Sequence, residues 1–98
     1  MQASIERRDG GVAISGPLTF ASVAELYGSG TGELPAGDIE IDLRGVTQVD
    51  SAGLALLVEW QKRARRNGAT ISLRQAPSQL LELIRVCGLR AVFAAGER

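Results

Sequence analysis

The chain has 98 residues, which fits a single domain spanning 1–98 and leaves no room for a second core. An apolar fraction of 45% supports a globular core, and eleven basic residues against eleven acidic ones remove the electrostatic footprint of a nucleic-acid binder. The absence of histidine and the single cysteine, Cys87, exclude histidine-based triads and metal sites, cysteine-based zinc and any intramolecular disulfide.

Taken in chain order, residues 5–15 read as two short strands around an Asp9-Gly10-Gly11 turn, with Val12 and Ile14 alternating against small or polar neighbours. Gly16-Pro17 is expected to break that run. Phe20, Val23, Leu26 and Tyr27 then recur at helical spacing. Residues 28–37, rich in Gly, Ser and Thr and containing Pro35, form the clearest loop signal.

Asp38-Ile39-Glu40-Ile41-Asp42-Leu43 alternates strictly between charged and apolar residues, the pattern of a half-buried strand with Ile39, Ile41 and Leu43 inward. Residues 45–49 are expected to turn the chain. Asp50 and Ser51 are both helix N-capping types, and the apolar periodicity that follows predicts a helix over 51–66, stopped by Asn67-Gly68. Residues 69–73 read as a strand, with Ile71 and Leu73 on one face. A last helix opens at Pro77-Ser78, places Leu80, Leu83, Ile84 and Cys87 on one face, and ends at Gly88, where Leu89 folds back. Residues 91–93 are expected to add a short strand. The order predicts an α/β domain, a mixed β-sheet of about four to five strands with helices packed on it.

The stretch Val49-Asp50-Ser51-Ala52-Gly53-Leu54 places a carboxylate and a hydroxyl at the positive end of a helix, where free N–H groups stabilise negative charge. Two readings stand side by side. In one, Asp50 and Ser51 are the helix cap and nothing more. In the other, Ser51 is a contact or phosphorylation site, and a phosphate of about −1.5 to −2 charge would gain from the helix end and be repelled by Asp50. Gly53 in the first turn costs roughly 1 kcal/mol against alanine, which a close backbone approach by the sheet or a partner would explain.

At about 100° per residue, Leu54, Leu57, Val58, Gln61 and Ala64 form the inward arc of this helix. Glu59, Lys62, Arg63 and Arg66 face water, and the basic cluster reads as a solvated helix end or as a contact for anionic lipid or an acidic partner. Leu56 and Trp60 sit on a shoulder where core and interface look alike, and Ser51, Ala52, Ala55 and Glu59 form a small-residue surface. No P-loop, nucleophile elbow or clustered metal-ligand set is present, so no catalytic residue, metal or cofactor is expected. The polar N-terminus lacks the apolar run of a signal peptide, and the longest apolar stretch, residues 54–58, is too short to span a bilayer. The expectation is an intracellular protein that meets a membrane only indirectly, through a partner.

The run Asp38-Ile39-Glu40-Ile41-Asp42-Leu43-Arg44-Gly45-Val46-Thr47-Gln48-Val49-Asp50-Ser51-Ala52-Gly53-Leu54 resembles the core of STAS domains, the fold of anti-sigma-factor antagonists and sulfate-transporter tails. Asn67-Gly68-Ala69, the strand after it and the helix ending Cys87-Gly88-Leu89 extend the likeness over essentially the whole chain. Val49-Asp50-Ser51-Ala52-Gly53-Leu54-Ala55-Leu56-Leu57 is most similar to the MlaB-like branch, the stand-alone subunits of the Mla phospholipid-transport system. That resemblance implies a non-catalytic cytoplasmic accessory subunit, peripheral to the inner membrane, that binds and supports the ATPase subunit of an ABC phospholipid transporter maintaining outer-membrane lipid asymmetry. It implies partner binding through Ser51, with Ala52, Ala55, Leu56, Glu59 and Trp60 extending the surface. The alternative is an anti-sigma-factor antagonist regulated by phosphorylation of Ser51, although that class often carries a second Ser where this chain has Ala52. A lipid- or nucleotide-binding module is a third reading, with no phosphate cradle in the sequence to support it.

Overall fold

The structure, a computed structural model, describes residues 3–28 and 37–93, with the backbone alone for residues 25–28. Most of the glycine-rich loop, residues 29–36, and the side chains of Leu26 and Tyr27 therefore lie outside the described residues. The elements are β1 (Ser4–Arg8), β2 (Gly11–Leu18), α1 (Phe20–Gly28), β3 (Ile39–Val49), α2 (Ser51–Arg66), β4 (Ile71–Arg74), α3 (Ser78–Val86) and α4 (Arg90–Phe93). The sheet has four strands in the order β1-β2-β3-β4. The hairpin pair β1/β2 is antiparallel, while β2/β3 and β3/β4 are parallel and joined by the α1 and α2 crossovers.

One face of the sheet makes the core. Val12, Ile14, Ile39, Ile41, Leu43, Ile71 and Leu73 are all buried on it, against Leu54 and Leu57 of α2, Leu80 and Ile84 of α3 and Phe93 of α4. The other face alternates outward and carries charge. Arg8 pairs with Asp42 at 3.3 Å and Arg74 with Glu40 at 2.9 Å, exposed pairs worth at most about 1 kcal/mol each.

Three expectations are corrected. Gly16-Pro17 does not end β2, which continues to Leu18 through register shifts between Ala13 and Ser15 and between Gly16 and Pro17. Pro17 is tolerated because Ser15 is the last β2 residue paired with β1 among the described residues, so its missing N–H interrupts no pairing described there. Residues 45–49 are not a turn either: they form the second half of β3 and pair with residues 15–18. There the buried positions Leu43, Val46 and Val49 fall three apart, because bulges interrupt the two-residue alternation. The expected strand over 91–93 is helical, a single turn in which the Val92 N–H bonds the Leu89 carbonyl at 3.0 Å and Phe93 enters the core.

Both main helices end as their glycines require. Gly68 and Gly88 lie at φ +76° and +70°, the left-handed region. Leu89 N–H reaches Ile84 O at 2.9 Å and Gly88 N–H reaches Arg85 O at 3.2 Å, the paired bonds of a Schellman ending, and Ala69 and Gly68 repeat the arrangement after α2. Cys87, expected on the apolar face of α3, falls in this ending and is exposed. No helix among the described residues is long and apolar enough to cross a membrane.

Candidate functional site

Parallel strands place the start of each following helix at the same end of the sheet, and here β2 and β3 finish side by side. Asp50 leaves β3 with its N–H bonded to Leu18 O at 3.1 Å. Its Oδ1 accepts from the Ala52 N–H at 2.9 Å and the Gly53 N–H at 3.2 Å, which makes Asp50 the N-cap of α2. Its Oδ2 accepts from the Phe20 N–H at 3.2 Å, the first residue of α1. One carboxylate thus joins the N-termini of two helices, and its charge suits both dipoles. A third helix is tied in where Val49 N–H donates to Gln79 Oε1 of α3 at 3.0 Å.

With Asp50 as the cap, Ser51 is not one: it is the first helical residue, and it is exposed. The two capping candidates therefore divide their roles. Asp50→Ala should lower the unfolding free energy by about 1–2 kcal/mol, the usual cost of a lost cap, and Ser51→Ala should stay within about 0.5 kcal/mol. Urea denaturation of both variants checks the division, and equal losses would restore Ser51 to the cap.

Beside Ser51, Ala52 is half-buried and Ala55 is exposed. Glu59 is half-buried on the same helix and pairs with Arg63 at 3.4 Å and Arg66 at 3.7 Å. Leu56 and Trp60, expected on the binding surface, are each 2% exposed. The reason is that α2 meets α1, α3 and α4 as well as the sheet, which widens its buried arc beyond what a helix lying on a sheet alone would have. Both residues belong to the core, and neither offers side-chain surface to a partner.

The structure adds a residue that the spacing argument misassigned. Phe20 was expected on the apolar arc of α1, yet it is 77% exposed at the helix start. Its backbone is held by Asp50, so the ring stands at the same helix junction as Ser51, with Ala21 and Ala24 also exposed along α1. The fold of this turn is reinforced by Ser22, whose buried hydroxyl accepts from Thr19 N–H at 2.9 Å and donates to Pro17 O at 2.6 Å. Phe20 at the very start of a predicted helix, before any inward residue, is the signal that would have found it.

The Asp50 carboxylate is engaged by three backbone N–H groups, and among the described residues no three His, Cys, Asp or Glu side chains group as metal ligands would. Small residues around one exposed aromatic ring let another backbone approach closely, with the ring as anchor.

No curated protein matches the chain. A family profile described as "Mlab, STAS domain" matches residues 1–93. That match covers nearly all of the 98 residues, including every element of the sheet and the helix junction at Asp50 and Ser51, and the chain belongs to this family of STAS domains.

Proposed function

We propose that this domain is a non-catalytic accessory subunit that docks the ATPase of an ABC phospholipid transporter, with Ser51 at the centre of the contact. In this reading it is cytoplasmic, held at the inner membrane by its partner, and it supports a transport assembly that maintains lipid asymmetry of the outer membrane. The observation that carries the proposal is the division of labour at the helix junction. Asp50 takes the capping bonds, and Ser51 is left on the surface at the junction where Asp50 also holds the backbone of an exposed phenylalanine. Ala52, Ala55 and Glu59 extend the surface along α2, and Phe20 extends it onto α1. The sequence likeness to the MlaB-like branch supplies the kind of partner.

The test is an affinity capture of the tagged full chain from its native host, run for the wild type, Ser51→Glu and Phe20→Ser. The expected result is recovery of an ABC ATPase with its permease, reduced about tenfold or more by either substitution, the loss of one anchor contact. The unfolding midpoint should change little, because an acidic side chain at an exposed first helical position suits the dipole. Recovery of a serine kinase or an anti-sigma factor in place of the ATPase overturns the proposal in favour of a switch phosphorylated at Ser51. Unfolding of the Ser51→Glu variant would also defeat it, by making Ser51 structural.

A further inference from the structure

The far end of α2 has a different character. Ser51 and Arg66 are separated by fifteen residues of helix, about 22 Å, so the two ends of α2 are distinct surfaces. At the second end Lys62, Arg63, Arg65 and Arg66 are all exposed, and Arg90 of α4 joins them. The packing that brings α4 here is explicit: an Arg65 guanidinium nitrogen donates to Val92 O at 2.8 Å. Glu59 pairs with Arg63 and Arg66, and Asp38 accepts the Thr70 N–H at 2.8 Å. Within this basic cluster Lys62 and Arg90 make no ion pair with the described residues.

We infer that this end of the domain, centred on Lys62, Arg65, Arg66 and Arg90, rests on an anionic phospholipid surface. The chain as a whole has net charge +0, and the open sheet face carries the carboxylates Glu6, Glu40 and Asp42, paired with Arg8 and Arg74. A long polyanion wrapping the molecule would meet those carboxylates. A planar anionic surface meets the basic end alone, and each cation near it adds attraction that is lost within a Debye length. The residues suit a surface better than a specific anion site, since Lys62 and Arg90 are not locked into the fork geometry that recognises a single phosphate. Val86, four residues before Arg90 in the chain, is an apolar side chain 66% exposed. No helix among the described residues can span a bilayer, so the contact is peripheral. The inference stands independently of the Ser51 surface.

Vesicle flotation of the full chain tests it, with phosphatidylcholine vesicles against vesicles of equal parts phosphatidylcholine and phosphatidylglycerol. The protein is expected to float with the anionic vesicles only, less as salt is raised. Lys62→Ala with Arg90→Ala should weaken the partition roughly thirtyfold, about fivefold for each cation. Lys62→Arg with Arg90→Lys should keep it, which separates charge from damage to the fold. Flotation with neutral vesicles to the same extent, no flotation with either, or undiminished flotation of the double alanine variant overturns the inference. So does salt-sensitive binding to soluble polyglutamate without any binding to vesicles, which would assign the basic end to an acidic protein segment.

Discussion

Gly53→Ala is expected to lower the thermal midpoint by about 8–16 °C, although helix propensity alone predicts the opposite sign. Alanine is better than glycine inside a helix by about 1 kcal/mol. In this protein a Cβ on Gly53 would sit 2.1 Å from the Leu18 carbonyl oxygen and 2.9 Å from both the Leu18 carbonyl carbon and its Cβ. The obstruction is mostly backbone at the end of β2, and it cannot swing aside, because the same carbonyl accepts the Asp50 N–H at 3.1 Å. Relief requires α2 to lift from the sheet by more than an ångström, which opens the packing under Leu54 and Leu57, each at most 3% exposed. Overpacking of this kind costs about 1–3 kcal/mol and occasionally more, and contact with fixed backbone belongs at the upper end. After the propensity gain, a net loss of about 2 kcal/mol remains, at roughly 4–8 °C per kcal/mol for a domain of this size. Ala55→Gly, at an exposed position two residues on, is the control and should lose about 1 kcal/mol in the ordinary direction. Calorimetry of the two variants decides it: a Gly53→Ala protein as stable as the wild type would mean that α2 does not press on β2 as described.

What the sequence made legible follows from how local each signal is. The alternation from Asp38 to Leu43, the bounds of α2 and the two glycine-ended helices rest on periodicity and caps carried by neighbouring residues, and the structure keeps all three. Even the unusual glycine in the first turn of α2 announced a close approach, and the sheet turned out to be what it approaches. The failures are non-local. The bulges that carry β2 past Pro17 and β3 to Val49 depend on each strand's partner, and nothing in either segment alone states the register. Leu56 and Trp60 looked like surface candidates because a wheel assumes one packing layer, whereas α2 has helical neighbours as well. Phe20 erred the other way: its spacing fits the apolar arc, but its ring is 77% exposed at the helix start. Of the candidate site, Ser51 and its small neighbours were readable as a surface. The carboxylate that joins two helices at that surface was not, because the Asp50–Phe20 bond links residues thirty positions apart.

Gln61 shows the same limit with a larger energetic consequence. The wheel places it inward without giving an amide any reason to be there, and it is 1% exposed. In the fold, β4 is an edge strand, and at Ile71 that edge faces α2 where a fifth strand would otherwise lie. Gln61 takes the place of that strand: its Oε1 accepts the Ile71 N–H at 2.9 Å, and its Nε2 donates to Ile71 O at 3.1 Å and to Val92 O at 3.1 Å. One side chain therefore satisfies both backbone groups of a buried strand residue and fastens α4 to α2. Gln61→Leu, close in volume and wholly apolar, would leave the Ile71 N–H and C=O buried without partners, while Val92 O keeps Arg65. At about 1–3 kcal/mol for each unsatisfied buried group, less a small gain from the added apolar surface, the expected loss is about 3–5 kcal/mol. That is a large part of the total for a domain of this size, about 5–15 kcal/mol. The expected result in urea is a transition displaced to much lower denaturant, with faster hydrogen exchange at the Ile71 amide than at the strand centre around Ile41. A Gln61→Leu protein within about 1 kcal/mol of the wild type would show that the β4 edge does not depend on this amide, and that α4 is held by Arg65 and Phe93 alone.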